Sequence, residues 1–182
     1  MYNPDQPYDS RRSPVAAQNI VATSQPLAVQ SGLFALRKGG NAIDAALAAA
    51  ITLTVVEPNN NGIGSDAFCI LWDGEELVGL NASGRSPAGW DIGRFANMQK
   101  MPELGWESVT VPGAVSGWVA LSSRFGKLPF EELFADAIHY AENGFLVGPK
   151  TAFYWRLLEN RYGDFDDFKQ HFFPPPKAGD IV

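Results

Sequence analysis

From Ala45 to Val56 the sequence is apolar apart from Thr52 and Thr54. A helix that is apolar on every face has to be buried on every face, so this run predicts a central core helix with the remaining elements packed round it. Asn41 offers an N-cap with Asp44 three residues on, Ala42 and Ile43 extend the helix, and Pro58 stops it. Even with that extension it falls short of the ~20 apolar residues that span a bilayer, and it contains Asp44, so it reads as a core helix rather than a membrane segment.

The totals agree with a packed core. Hydrophobic residues make up 46% of the 182 and charged ones 19%, a globular balance. With 14 basic against 20 acidic residues the net charge is −6, which makes nucleic acid or an anionic membrane a poor default partner. The single cysteine, Cys69, lies between Phe68 and Ile70 and has no basic neighbour, which fits a small core residue better than a nucleophile. No basic region followed by an apolar run opens the sequence, and a cytoplasmic location is the default expectation.

Residues 1–18, rich in Pro, Asp, Ser and Arg, predict an extended arm, and residues 19–182 one folded unit. Ile20–Thr23 is β-prone. Thr23 or Ser24 can cap a helix from Pro26, with Leu27, Leu33 and Leu36 as its apolar positions and Gly39-Gly40 as its end. Ala67–Asp73 and Glu76–Asn81 predict a hairpin about Asp73-Gly74, and the unbroken apolar run in its first strand suits a sheet covered on both faces. Beyond it come a weak helix over Arg94–Gln99, a short strand over Ser108–Val111, and helices over Ala114–Phe125, Leu128–Glu142 and Thr151–Tyr162. Gly163–Phe168 and Pro174–Pro176 read as loops, and Gly179–Val182 ends without a cap.

The polar residues that could hold a ligand cluster at the hairpin's two ends. Gly62-Ile63-Gly64-Ser65-Asp66 can be wound tightly with its N–H groups turned inward, as in carboxylate and oxyanion pockets, and Gly62, Gly64, Ser65 and Asp66 are candidates for shaping a pocket. The same residues fit a dinucleotide fingerprint only formally, since a helix precedes and a strand follows. Asn81, Ser83 and Arg85 are the candidates for substrate contact: a guanidinium grips a carboxylate through paired hydrogen bonds, and small neighbours leave room for it. A surface arginine at a strand end is the plain alternative. Asn81-Ala82-Ser83 is also formally a glycosylation sequon. His139 and His171 stand far apart in sequence without ligand partners, Asp164, Asp166 and Asp167 lack calcium-loop spacing, and no Gly-x-Ser-x-Gly elbow occurs. No metal and no cofactor is expected.

Leu36–Ala46, Glu57-Pro58 with Gly62-Ile63-Gly64 and Phe68, Val111–Val115 and Phe125–Pro129 together resemble the N-terminal part of the gamma-glutamyltransferase family, which includes cephalosporin acylase relatives. The resemblance runs in order from about Ile20 to about Gly148. It implies an α/β fold (α+β), the αββα four-layer sandwich of N-terminal-nucleophile hydrolases, present here only in part. It also implies a self-cleaving precursor whose freed threonine attacks the acyl carbonyl with its own amine as base. No position here matches the motif of that threonine, so no catalytic residue is assigned to this chain.

In the family the corresponding turn reads Arg-Glu-x-Ala-Pro, and its arginine binds the glutamyl α-carboxylate. Anchored on Pro87, that arginine falls on Ser83, and the local arginine, Arg85, lies two residues later. A shift of two preserves the face of an extended segment. The implied partners are the rest of the large subunit, the small catalytic subunit and a γ-glutamyl or related acyl donor. A truncated, inert homologue that binds a partner and an acylase for β-lactam side chains are the rival readings.

Overall fold

A computed structural model describes residues 14–182. The arm expected over residues 1–18 lies outside them up to Ser13, and residues 14–18 have no regular structure. Helix α1 (Pro26–Arg37) and helix α2 (Ala42–Val56) pack on each other, and a two-stranded antiparallel sheet, β1 (Ala67–Trp72) and β2 (Leu77–Ala82), follows. Helix α3 (Ala114–Phe125) covers one face of that sheet and touches α2. A 3-10 turn (Phe130–Phe134) leads into α4 (Ala135–Asn143), which also lies on α2. Helices α5 (Pro149–Tyr162) and α6 (Asp166–Phe172) complete the order. No described helix is long and apolar enough to cross a membrane.

The cap of α2 is as the sequence predicts: the Asn41 side chain accepts from the Ile43 and Asp44 N–H groups, and the Asp44 carboxylate accepts from the Asn41 N–H at 2.8 Å. Asp44 does more than cap. Fully buried, it also accepts from the N–H groups of Lys127 and Leu128, while Asn41 Nδ2 donates to the Phe125 carbonyl at 2.6 Å. One carboxylate therefore ties the start of α2 to the loop after α3. The two threonines of α2 are satisfied inside the protein, Thr52 donating to Ser31 Oγ and Thr54 to the Ile51 carbonyl. Two apolar clusters form round the helix: Leu47, Ala48 and Ile51 with Trp118, Leu121 and Leu133, and Ala49 and Val56 with Ala28, Phe145 and Val147.

Several expectations need correction. Among the described residues α2 is open on one side: Ala42 and Ala46 are exposed, and Ala50 and Leu53 half-buried, along a groove of about 690 Å³ that the Ile20–Thr23 segment borders. That segment has no regular structure and pairs with no described strand. Gln25, not Thr23 or Ser24, caps α1; Ser24 Oγ instead donates to the buried Glu57 carboxylate at 2.5 Å. The buried stripe of α1 is Ala28, Ser31, Gly32 and Ala35, with the leucines half-buried beside it.

The hairpin forms in the expected place, with Ala67 opposite Ala82 and Trp72 opposite Leu77. It is covered on one face only: Ala67, Cys69, Leu71 and Leu80 pack inward, whereas Phe68, Ile70, Trp72 and Leu77 are 64% to 77% exposed. The weak helix is a 3-10 turn at Ile92–Phe95, where Asp91 caps it. Ser108–Val111 is not a strand; its only ladder-like backbone bond runs from the Val111 N–H to the Arg85 carbonyl. Helix α6 arises where a loop was expected, acidic in its first turn and joined by Phe168 and Phe172 to Tyr162 and Trp155 of α5. Gly179–Val182 pairs with Phe145–Val147.

Candidate functional site

Where β2 ends, the chain crosses the start of α3 backbone against backbone. Gly84 has φ +78, and a Cβ there would collide with the Val111 carbonyl oxygen; a Cβ on Gly113 would collide with the Ala82 carbonyl oxygen. Two cross-ties fix the segment after β2. The Val111 N–H donates to the Arg85 carbonyl at 2.9 Å and the Thr110 hydroxyl to the Ser83 carbonyl at 3.0 Å. The Asn81 carboxamide oxygen accepts from the Ser83 N–H at 2.9 Å, closing a local turn.

This crossing leaves a groove of about 740 Å³ lined by Asn81, Ser83, Arg85, Ser86, Gly113 and Ser116 among others. Arg85 is the one charged residue in the lining, and among the described residues its exposed guanidinium makes no ion pair. A cation with no internal partner, flanked by hydroxyls and an amide and with no acid in the lining, suits an anionic group, above all a planar carboxylate. The positive φ of Gly84 breaks the extended alternation, so a shift of two does not preserve the face at Ser83–Arg85. The two residues nevertheless line the same groove as Asn81.

The Asn-Gly loop behaves differently from the expectation. Gly62 and Gly64 have no positive φ and nothing lies within 4 Å of a Cβ built on either. The loop presents a carbonyl to α3: Ser65 O accepts from the N–H groups of Gly113 and Ala114 at 3.1 and 3.0 Å, occupying the first donors of the helix. Gly62, Gly64, Ser65 and Asp66 stand outside the groove lining, and Asp66 is exposed. The loop's upstream end is anchored by the buried Glu57, which accepts from Ser24 and from Asn61 Nδ2, while both polar atoms of the Asn59 amide are buried without a partner among the described residues.

The structure thus brings Asn81, Ser83 and Arg85 together and joins the loop to them through the Ser65 carbonyl on the start of α3 and through β1, whose Ala67 and Phe68 face Ala82 and Asn81. Sequence reasoning missed Thr110, which it placed in a strand, and the packing role of Gly113 and Gly117. A helical glycine at 117, where a Cβ would press on the Ala82 side chain, was the available signal. Cys69 faces the core and burial pushes its thiol up, away from nucleophilic behaviour. His139 bonds only locally, to Asn143, and no three His, Cys, Asp or Glu residues converge among the described residues.

The profile of the gamma-glutamyltranspeptidase family matches residues 28–182. The chain belongs to the gamma-glutamyltranspeptidase family. It is 38% identical over 149 residues to the oxamate amidohydrolase proenzyme of Klebsiella pneumoniae subsp. pneumoniae, covering 77% of this chain and 28% of that one. Among solved structures, cephalosporin acylase from Bacillus halodurans superposes with a TM-score of 0.88 at 44% identity, covering 100% of this chain and 36% of that one. Helicobacter pylori gamma-glutamyltranspeptidase superposes with a TM-score of 0.85 at 29% identity, covering 94% and 52%. Membership makes the protein one of a family of hydrolases and transferases that includes proenzymes, and gives it the mixed helix and sheet fold of these neighbours. The chain spans only about a quarter to three tenths of the length of the curated relatives it matches.

Proposed function

We propose that the complete protein transfers or hydrolyses the acyl group of a γ-glutamyl (glutathione-type) or related carboxylate-bearing amide, and that this chain supplies part of the acyl-donor pocket. The observation that carries the reading is Arg85: exposed, without an ion pair among the described residues, and the one charge in a groove otherwise lined by neutral polar, small and apolar residues. In the reaction, a threonine outside this chain adds its hydroxyl oxygen to the amide carbonyl, and the amine leaves with the proton as the acyl ester forms. Water or an acceptor amine then takes the acyl group and returns the proton to the threonine. Arg85 holds the donor's carboxylate, and Asn81 and Ser83 flank it.

Two surfaces support the larger assembly and the αββα sandwich. The outer hairpin face, Phe68, Ile70, Trp72 and Leu77, is a contiguous apolar patch of the kind that marks an interface, and it suits a second sheet. Asn81 lies on that same face, opposite Phe68, so the covering layer would arrive beside the groove. The open side of α2 suits further chain. Alone, this chain holds a pocket wall and no nucleophile, and is inactive. An acylase acting on a carboxylate-bearing side chain is the second reading, favoured by the 44% identity to cephalosporin acylase against 29% to the transpeptidase.

The test is the intact mass of the product of the undisturbed gene, with turnover of a γ-glutamyl anilide and of a glutaryl amide. Two fragments, the smaller beginning with threonine, and turnover of either donor are expected. A single unprocessed and inactive species would overturn the reading in favour of an inert binding homologue.

A further inference from the structure

The segment that carries Arg85 lies beyond the pairing of its own sheet, which ends at Ala82. Beyond that point Ser83 and Arg85 are fixed from outside, by residues 110 and 111. The two ties fall on alternate carbonyls, as in a strand ladder, but only the Val111 tie is a backbone bond. At Ser83 the Thr110 hydroxyl takes the place of the missing backbone donor. Between the two carbonyls sits Gly84 at φ +78, pressed on Val111 where no side chain fits, so the segment cannot relax towards residues 110–111. Its direction, and with it the base of the Arg85 side chain, therefore depends on whether the Ser83 carbonyl is held. A glycine next to a released carbonyl has the widest choice of alternative backbone angles.

We propose that Thr110 is a positioning residue for acyl-donor recognition, acting through the Ser83 carbonyl to aim Arg85 into the groove. Thr110 is absent from the residues that line the groove, so it reaches the donor through the segment it holds, Ser83 to Arg85, rather than by contact. The inference rests on Arg85 holding the donor's carboxylate, and it adds a distinct, separable requirement. Valine at 110 keeps the branched shape and removes the donor; serine keeps the donor and removes the methyl group.

The experiment uses the complete protein and two donors, an acyl anilide with a free carboxylate and the same anilide with that carboxylate converted to a carboxamide. The readout is the ratio of their kcat/KM values, together with the KM and kcat of the acid donor and the melting temperature. Arg85→Ala is expected to lower the ratio by about tenfold or more, and Thr110→Val by about fivefold, chiefly through KM. Thr110→Ser is expected to restore the ratio to within about twofold of wild type. Thr110→Ala stands in should the valine variant fold poorly. Equal losses on both donors with Thr110→Val would show a general packing effect and overturn the positioning role, as would an unchanged ratio. A ratio that Thr110→Val lowers while Arg85→Ala leaves it unchanged would instead overturn the carboxylate role of Arg85, and this inference with it.

Discussion

Asp44 and Arg85 are two charged residues at junctions between elements, and they have opposite environments. Asp44 is fully buried and accepts from three backbone N–H groups drawn from Asn41, Lys127 and Leu128. Arg85 is exposed and ends in a groove where nothing among the described residues pairs with it. A buried charge persists only where its hydrogen bonds are filled, so the Asp44 knot is architecture. An exposed arginine whose backbone is tied at its own and a neighbouring carbonyl has its base fixed and its head free, the arrangement that binding needs. Saturated polar groups hold the fold, and unsaturated ones on a fixed backbone are left for a ligand.

The comparison breaks most visibly in stability. Asp44→Ala leaves three backbone donors without an acceptor in the interior and should cost the complete protein at least about 3 kcal/mol in chemical denaturation. A loss below about 1 kcal/mol would mean that water replaces the carboxylate and that the knot is not structural. Gly84→Ala comes next, at about 2–4 kcal/mol, because it combines a positive φ with a collision on the Val111 carbonyl. A neutral effect there would show that the crossing of β2 and α3 is loose.

A smaller, pH-dependent effect belongs to Asp73. Its carboxylate accepts from the N–H groups of Glu76 and Glu75, which hold its pKa below the usual carboxylate value. A folded-state pKa below the unfolded value of about 3.9 gives stability that is present above that pH and lost as pH falls through the lower, folded value. Thermal melts of wild type and Asp73→Asn should therefore differ at pH 6 and converge as pH falls through that window. A constant difference across the range would remove the titration from the account.

Much of this layout was legible in the sequence where local chemistry decides it. Asn41 and Asp44 show the capping box, Asp73-Gly74 the hairpin turn, and Pro112-Gly113 the start of α3. What misled was chemistry supplied from a distance. Ser108–Val111 has strand-like residues, yet Thr110 spends its side chain where a second ladder bond would form. The glycines at 62 and 64 look like a ligand cradle, yet neither has a positive φ or anything within 4 Å of a built Cβ, and the loop's contact with α3 is the Ser65 carbonyl. The apolar runs of β1 and α2 predict burial on every face; the described residues bury one face of β1 and leave α2 open along one side. An apolar run does not say which layer covers it, so Phe68, Ile70 and Trp72 read as core even where nothing described covers them.

The central claim is that the free arginine beside the crossing recognises the donor's anionic group. The most direct measurement is kcat/KM for a carboxylate-bearing acyl donor in the complete protein carrying Arg85→Ala, with its melting temperature alongside. The account predicts a fall of about 10- to 100-fold in kcat/KM with stability within about 0.5 kcal/mol of wild type. An unchanged kcat/KM in a normally folded variant would contradict it.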